Sequence, residues 1–331
     1  MKILDNLKKN TIFLLLITII ILYILLKDDF GDIIKAFEKI KVAYILLAII
    51  IYFIVIFIKS YIDYKITNDK EKISLKEAIK HCLITQFFNG ITPFSTGGQP
   101  MEIYMLTEHG ISLTKATNQT VQSFIFYQIA LVICGIVAVC YNYFFHIFPK
   151  NILLKKIVLL GFVINIAVVI LLISISYSKK VTKRISKIVI FLAKKFHIKI
   201  NEKEMDKKFN NFYNGFQELK ERKGLFVLGI TFNIISLVLL YTIPLIITYS
   251  MGDHTSLTMM KSITASAYVY VIGSFVPIPG ASGGIEYGFT QFYGNFISLD
   301  KISAVLIIWR SITYYLGIII GGLLFNLEKK W

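Results

Sequence analysis

The strongest constraint on this chain is a short helix-breaking pattern that occurs twice inside apolar sequence. One copy lies within Asn89–Tyr104 and reads Thr92-Pro93-Phe94-Ser95-Thr96-Gly97-Gly98-Gln99-Pro100-Met101-Glu102. The other lies within Ser274–Tyr287 and reads Pro277-Ile278-Pro279-Gly280-Ala281-Ser282-Gly283-Gly284-Ile285-Glu286. In both, a proline is followed by three residues ending in Ser or Thr, then by Gly-Gly and a nearby glutamate. Four of the six prolines fall in these two stretches. A doubled break of this kind in hydrophobic sequence is the mark of a membrane protein with internal symmetry and a site near its middle.

Composition supports the membrane reading. The chain is 56% hydrophobic and 14% aromatic, and several apolar runs reach the roughly 17–25 residues that a helix needs to cross a bilayer. The formal net charge of +16 would suggest nucleic acid in a soluble protein. Here no base-stacking motif accompanies it, and the lysines gather where cytoplasmic loops are expected. Nucleic acid is therefore excluded as a partner. Cys82, Cys134 and Cys140 lie in apolar helical context and read as packing residues. The five histidines are scattered toward span edges, so no metal and no cofactor is expected.

The expected fold is all-α and polytopic. Full spans are predicted over 11–26, 42–58, 117–145, 156–177, 224–251 and 301–325. The pieces 78–90 and 100–106 are too short to cross, and 257–276 and 285–297 flank the second Pro/Gly element in the same way. They are predicted to form two re-entrant helical hairpins, one opening to each side. Span, hairpin and span then occur twice, over about 42–145 and 224–325, as inverted repeats in a single domain of 1–331. Gln122-Ser123-Phe124-Ile125-Phe126-Tyr127 and Arg310-Ser311-Ile312-Thr313-Tyr314-Tyr315 echo each other at matching places. The segment 178–223 carries fourteen Lys/Arg against five acids. It is predicted as a cytoplasmic loop with an amphipathic helix (Met205, Phe209, Phe212, Tyr213, Phe216, Leu219), lying on the inner leaflet or packing on the protein. Both termini fall on the cytoplasmic side by the charge rule.

Arg310 is the sharpest candidate. It lies well inside an apolar span, where an arginine costs at least about 2.5–3.5 kcal/mol, so it needs a partner. Glu286, Glu102 and a lipid phosphate are the candidates. Gly97, Gly98, Gly283 and Gly284 permit tight turns and close approach of backbone to a ligand. The helix starts that follow would offer N–H groups to an anion, and Ser95, Thr96 and Ser282 would add hydroxyls or cap the turns. Gln122 joins the set through its repeat position. Glu102 and Glu286 read as electrostatic lining rather than an acid–base pair. No nucleophile elbow, phosphate-binding loop or paired catalytic carboxylates appear, so an enzyme is not expected.

With those residues in view, the two Pro/Gly elements resemble the lysylphosphatidylglycerol synthase/flippase transmembrane domain family, over nearly the whole chain. The resemblance implies an inner-membrane module that moves phospholipids or lipid-linked compounds between leaflets. Aminoacylating members of that family carry a soluble transferase domain after the membrane part. This sequence ends at Trp331 soon after its last span, so the expectation is the translocation module without lysyl transfer. The expected partner is an anionic or zwitterionic phospholipid headgroup, and a homo-oligomer is compatible with the pattern. A secondary transporter of a small solute, a membrane-embedded headgroup transferase and a non-catalytic partner subunit are the rival classes.

Overall fold

The computed structural model describes residues 40–67, 73–148, 152–195, 201–253, 256–274 and 276–327. Among them there is no strand. The long helices are α1 (Val42–Thr67), α4 (Leu113–Phe145), α5 (Ile152–Tyr177) and α8 (Lys223–Ser250), with α11 (Leu299–Arg310) and α12 (Leu316–Leu327) joined by a π-helical segment, Ser311–Tyr315. Between them run the shorter helices α2 (Leu75–Ile91), α3 (Gly98–Glu108), α6 (Lys179–Lys195), α7 (Glu202–Glu221), α9 (Met259–Gly273) and α10 (Gly284–Tyr293). Five stretches are long and apolar enough to cross a membrane: Val42–Thr67, Leu113–Phe145, Lys156–Ile175, Lys223–Ser250 and Asp300–Leu327. They coincide with five of the six predicted spans. The sixth, 11–26, lies outside the described residues.

α1 and α8 form the spine, packed side by side and antiparallel. At one end the backbone N–H of Lys41 donates to Ser250 O; at the other Arg222 donates to the carbonyls of Lys65 and Ile66. The second of these ends is the basic one. It bears α6, which has seven Lys/Arg and no acid, and α7. The pair α2/α3 is rooted at this basic end, after Thr67. The pair α9/α10 is rooted at the opposite end, after Ser250. Each pair packs its two helices together, and the turns at their tips touch each other.

Local chemistry explains these elements. α2 begins with a capping box, in which Glu77 N–H donates to Ser74 Oγ and Ser74 N–H to Glu77 Oε2. It stops before Thr92-Pro93 because the residue before a proline is driven out of the helical region. α3 ends at Gly110, which takes the left-handed conformation (φ 77°) while Ile111 N–H reaches back to Leu106 O. α10 is wedged against α9 and α11 by stacked rings. Phe289 lies 4.3 Å from Tyr293 and 5.0 Å from Trp309, and Tyr293 Oη is 2.6 Å from Ser266 Oγ.

Three expectations are revised. The second span continues past 58 to Thr67, because Lys59, Asp63 and Thr67 share one face at four-residue spacing and look into a polar cavity rather than lipid. The described residues of 178–223 form two helices, α6 and α7, where one amphipathic helix was expected. The predicted amphipathic helix lies within α7 and packs on the protein, where Asn211 Nδ2 donates to Thr114 Oγ1. Gln122 is buried in that same contact, its Nε2 donating to Gly215 O of α7 at 2.9 Å, so it is spent on packing.

Gly317 and Gly321 seat α12 on α2. A Cβ at Gly321 would stand 2.1 Å from the Leu83 carbonyl oxygen, a backbone atom that cannot step aside. Gly321→Ile is therefore expected to destabilise the protein by about 1–3 kcal/mol. A thermal melt of the purified protein in detergent checks this, and Leu323→Ile on the exposed face should leave the midpoint unchanged.

Candidate functional site

The two turns begin alike and leave differently, Gly97 having a negative φ (−75°) and Gly283 a positive one (86°). In the first, Phe94 and Ser95 take left-handed φ values of 54° and 52°; in the second, Gly280 and Ala281 take 64° and 52°. These are matching positions of the repeated sequence pattern. Thr96 N–H bonds Pro93 O and Ser282 N–H bonds Pro279 O. The hydroxyls follow suit, with Thr96 Oγ1 donating to Pro93 O and Ser282 Oγ to Pro279 O. A left-handed residue with a side chain costs of order 1–3 kcal/mol, and such strain collects at functional sites.

The predicted anion seats are filled by the chain itself. Gly97 N–H donates to Thr92 Oγ1, Gly98 N–H to Asn89 Oδ1 and Gly283 N–H to Glu286 Oε2. Gly97, Gly98 and Gly283 thus spend their N–H groups within the turns. Gly280 shows why one position must be glycine: its φ is positive, and a Cβ there would lie 2.2 Å from the Tyr314 hydroxyl.

Arg310 finds its partner in Glu286. Nε lies 2.9 Å from Oε1, and the two residues are 3% and 1% exposed. The N–H does not point along that line, so the pair is held by charge rather than by an aligned hydrogen bond. Nη2 donates to Gly280 O at 3.0 Å, and the guanidinium carbon lies 4.3 Å from the Tyr314 ring centre. Tyr314 Oη in turn donates to Gly90 O, at the end of α2, at 2.9 Å. Arg310 and Tyr314 thus tie both turns to one helix, at its π-helical segment. π segments are frequent at functional sites.

A cavity of about 560 Å³ opens beside this cluster. Of the predicted residues, Arg310, Glu102, Ser95 and Thr96 line it. Glu286, Gln122, Gly97, Gly98, Ser282, Gly283 and Gly284 do not. Sequence reading missed Asp63, Lys59, Ser123 and Tyr314, all on the wall. Asp63 accepts from Ser123 Oγ at 2.5 Å. Gln128, only 9% exposed, lines the cavity with no partner among the described residues. Asn233, also on the wall, donates to Gly229 O of its own helix. The signal for Asp63 was present in the Lys59/Asp63/Thr67 spacing. Nothing local marked Tyr314 beyond its place in the echo.

Removing one member of a buried ion pair leaves the other uncompensated, at a cost of about 3–5 kcal/mol, whereas replacing both by apolar groups is often nearly neutral. Glu286→Gln should therefore lower stability more than the double variant Glu286→Leu/Arg310→Met. Denaturation midpoints of the three proteins in detergent measure the difference.

Two curated relatives align with most of the chain. A "UPF0104 membrane protein" of Archaeoglobus fulgidus is 24% identical over 272 residues, covering 77% of this chain and 77% of that protein. An "Uncharacterized protein MG306 homolog" of Mycoplasma pneumoniae is 24% identical over 284 residues, covering 75% of this chain and 68% of its own length. The family model for the lysylphosphatidylglycerol synthase TM region matches residues 11–321, and the chain belongs to that family.

Proposed function

We propose that the protein is a lipid translocase, which carries the headgroup of a phospholipid or lipid-linked phosphate compound through this cavity while the tails stay in lipid. The observation that carries the reading is a cavity lined by charged and polar side chains beside two similarly built turns in an apolar helical bundle. Its volume lies within the roughly 300–1,000 Å³ typical of ligand sites, which suits a headgroup. Irregular backbone at membrane depth is tolerated where it lines such a space or is buried in protein. Membership of a lipid-named family favours a lipid over a soluble solute.

In this reading α2/α3 and α9/α10 are re-entrant hairpins entering from opposite faces, and 42–145 and 224–325 are inverted repeats. Both termini face the cytoplasm of the cell membrane. The charge of α6 supports placing the basic end there. The cavity's lining includes Thr67, Ile73 and Gln119 toward that end, and Trp309 and Gly280 of the second turn region. Arg310 is the anchor for phosphate, by sharing its guanidinium between Glu286 and the ligand. Tyr314 transmits any movement of one turn to the other. No step requires an enzyme or a cofactor.

The test is leaflet exchange in proteoliposomes carrying fluorescent lipids of different headgroups. Wild type is expected to accelerate exchange of at least one headgroup, and Arg310→Ala to slow it by about tenfold or more, the worth of roughly 1.4 kcal/mol. Tyr314→Phe removes one hydroxyl and keeps the ring; it should stay folded and slow exchange severalfold. No exchange of any headgroup by folded wild type would sink the reading, and uptake of a small solute instead would support a secondary transporter.

Orientation has a separate check. Cysteine placed at Asn201 should react with an impermeant thiol reagent only from inside, and cysteine at Asp253 only from outside.

A further inference from the structure

We propose that α6 is an interfacial helix, and that the partner it fits is the anionic phospholipid of the leaflet at the basic end of the protein. Three stripes run along Lys179–Lys195, each about a third of a turn from the next. The first, Thr182, Ser186, Ile190 and Ala193, is buried. The second is apolar and open: Val181, Ile185, Ile188 and Leu192 recur at spacings of four and three. Ile188 and Leu192 are 55% and 44% exposed, and Phe191 at its border is 64% exposed. The third, Lys180, Lys183, Arg184 and Lys187, is basic and exposed throughout.

The buried stripe fixes the helix in place. Thr182 Oγ1 donates to Ile175 O at 2.7 Å, Ser186 Oγ donates to Asp206 of α7, and Lys194 pairs with Glu202 of α7 at 2.6 Å. A helix that packs on protein by one stripe and meets water elsewhere has no use for a second apolar stripe. Position says what covers it. The membrane-crossing stretch of α5 ends at Ile175, the residue whose carbonyl Thr182 holds, so α6 begins at the bilayer surface. Charge says which lipid. α6 has seven Lys/Arg and no acid, and only Lys194 among them is paired with a carboxylate within the described residues. An apolar stripe set at the acyl boundary, with cations on long stems reaching the headgroups beside it, is how an interfacial helix binds, and anionic lipids strengthen the hold. α7 does not offer the same surface. It has five acids against four lysines, and it is bonded to α4 through Asn211 and Gly215.

The test is spin-label accessibility in the full-length protein, with the exposed native thiol removed as Cys140→Ser. Nitroxides are placed singly through Ile188→Cys, Leu192→Cys and Lys187→Cys, and each protein is studied in nanodiscs that hold one copy. In discs of mixed phosphatidylglycerol and phosphatidylcholine, the labels at 188 and 192 should collide with oxygen severalfold more than with a water-soluble nickel chelate. The label at 187 should show the reverse. Nickel should reach 192 more readily in pure phosphatidylcholine, and also in mixed discs at about 1 M salt, where the Debye length falls to about 3 Å. The variant Lys180→Gln/Lys183→Gln/Arg184→Gln/Lys187→Gln, altered only at exposed positions, should lose the difference between the two lipids. Labels at 188 and 192 as open to nickel as that at 187 would overturn the proposal. So would protection that is indifferent to phosphatidylglycerol and to the four substitutions, or protection that appears only with spin–spin broadening between copies in liposomes, which would mean that a second chain covers the stripe. None of these readings depends on lipid crossing the membrane, so the translocase proposal and this one stand or fall separately.

Discussion

An arginine inside an apolar bundle has to be neutralised from within the protein, and the centre of this molecule is arranged around that need. Arg310 meets a carboxylate, a carbonyl and an aromatic face, all supplied by residues that would otherwise have no reason to converge. Glu286 serves twice: one oxygen faces the guanidinium and the other caps the start of its own helix through Gly283 N–H. Gly280 likewise gives its carbonyl to Arg310 while lending its missing Cβ to the Tyr314 hydroxyl. Moving any one of these groups displaces the others, which is why the second turn, α10 and the π-helical segment act as one unit.

The fold was legible in the sequence where length and hydropathy decide. The spans, the two short helical pairs and the repeated turn could all be read from apolar runs interrupted by proline and glycine. The end of α1 could not, because a window of hydropathy treats Lys59 and Asp63 as the start of a loop. Their four-residue spacing shows that the helix goes on with one polar face, but that reading requires knowing that a cavity lies beside it.

The site divides in the same way. Arg310 announced itself by the expense of burial, and Glu286 was among the partners that chemistry allows. Glu102, Ser95 and Thr96 fell on the cavity wall. The glycines and Ser282 were flagged by pattern, yet pattern alone does not say that Thr92, Asn89 and Glu286 take the N–H groups a ligand would need. Gln122 was drawn in by symmetry and turned out to hold α7. Tyr314 was hidden because its importance comes from a change of helical phase that no residue type encodes.

That phase change has an architectural consequence. In an unbroken α-helix, residues seven apart lie nearly above one another, so Arg310 would share a stripe with Gly317. The wide turn over Ser311–Tyr315 disposes of that alignment. Upstream of it the helix presents its cation to the second hairpin; downstream it presents bare glycine to α2 of the first. One rod is thereby given two differently aimed gripping surfaces. Losing a single residue from the segment would rotate one against the other by roughly 100°, leaving the rod able to hold one hairpin at a time.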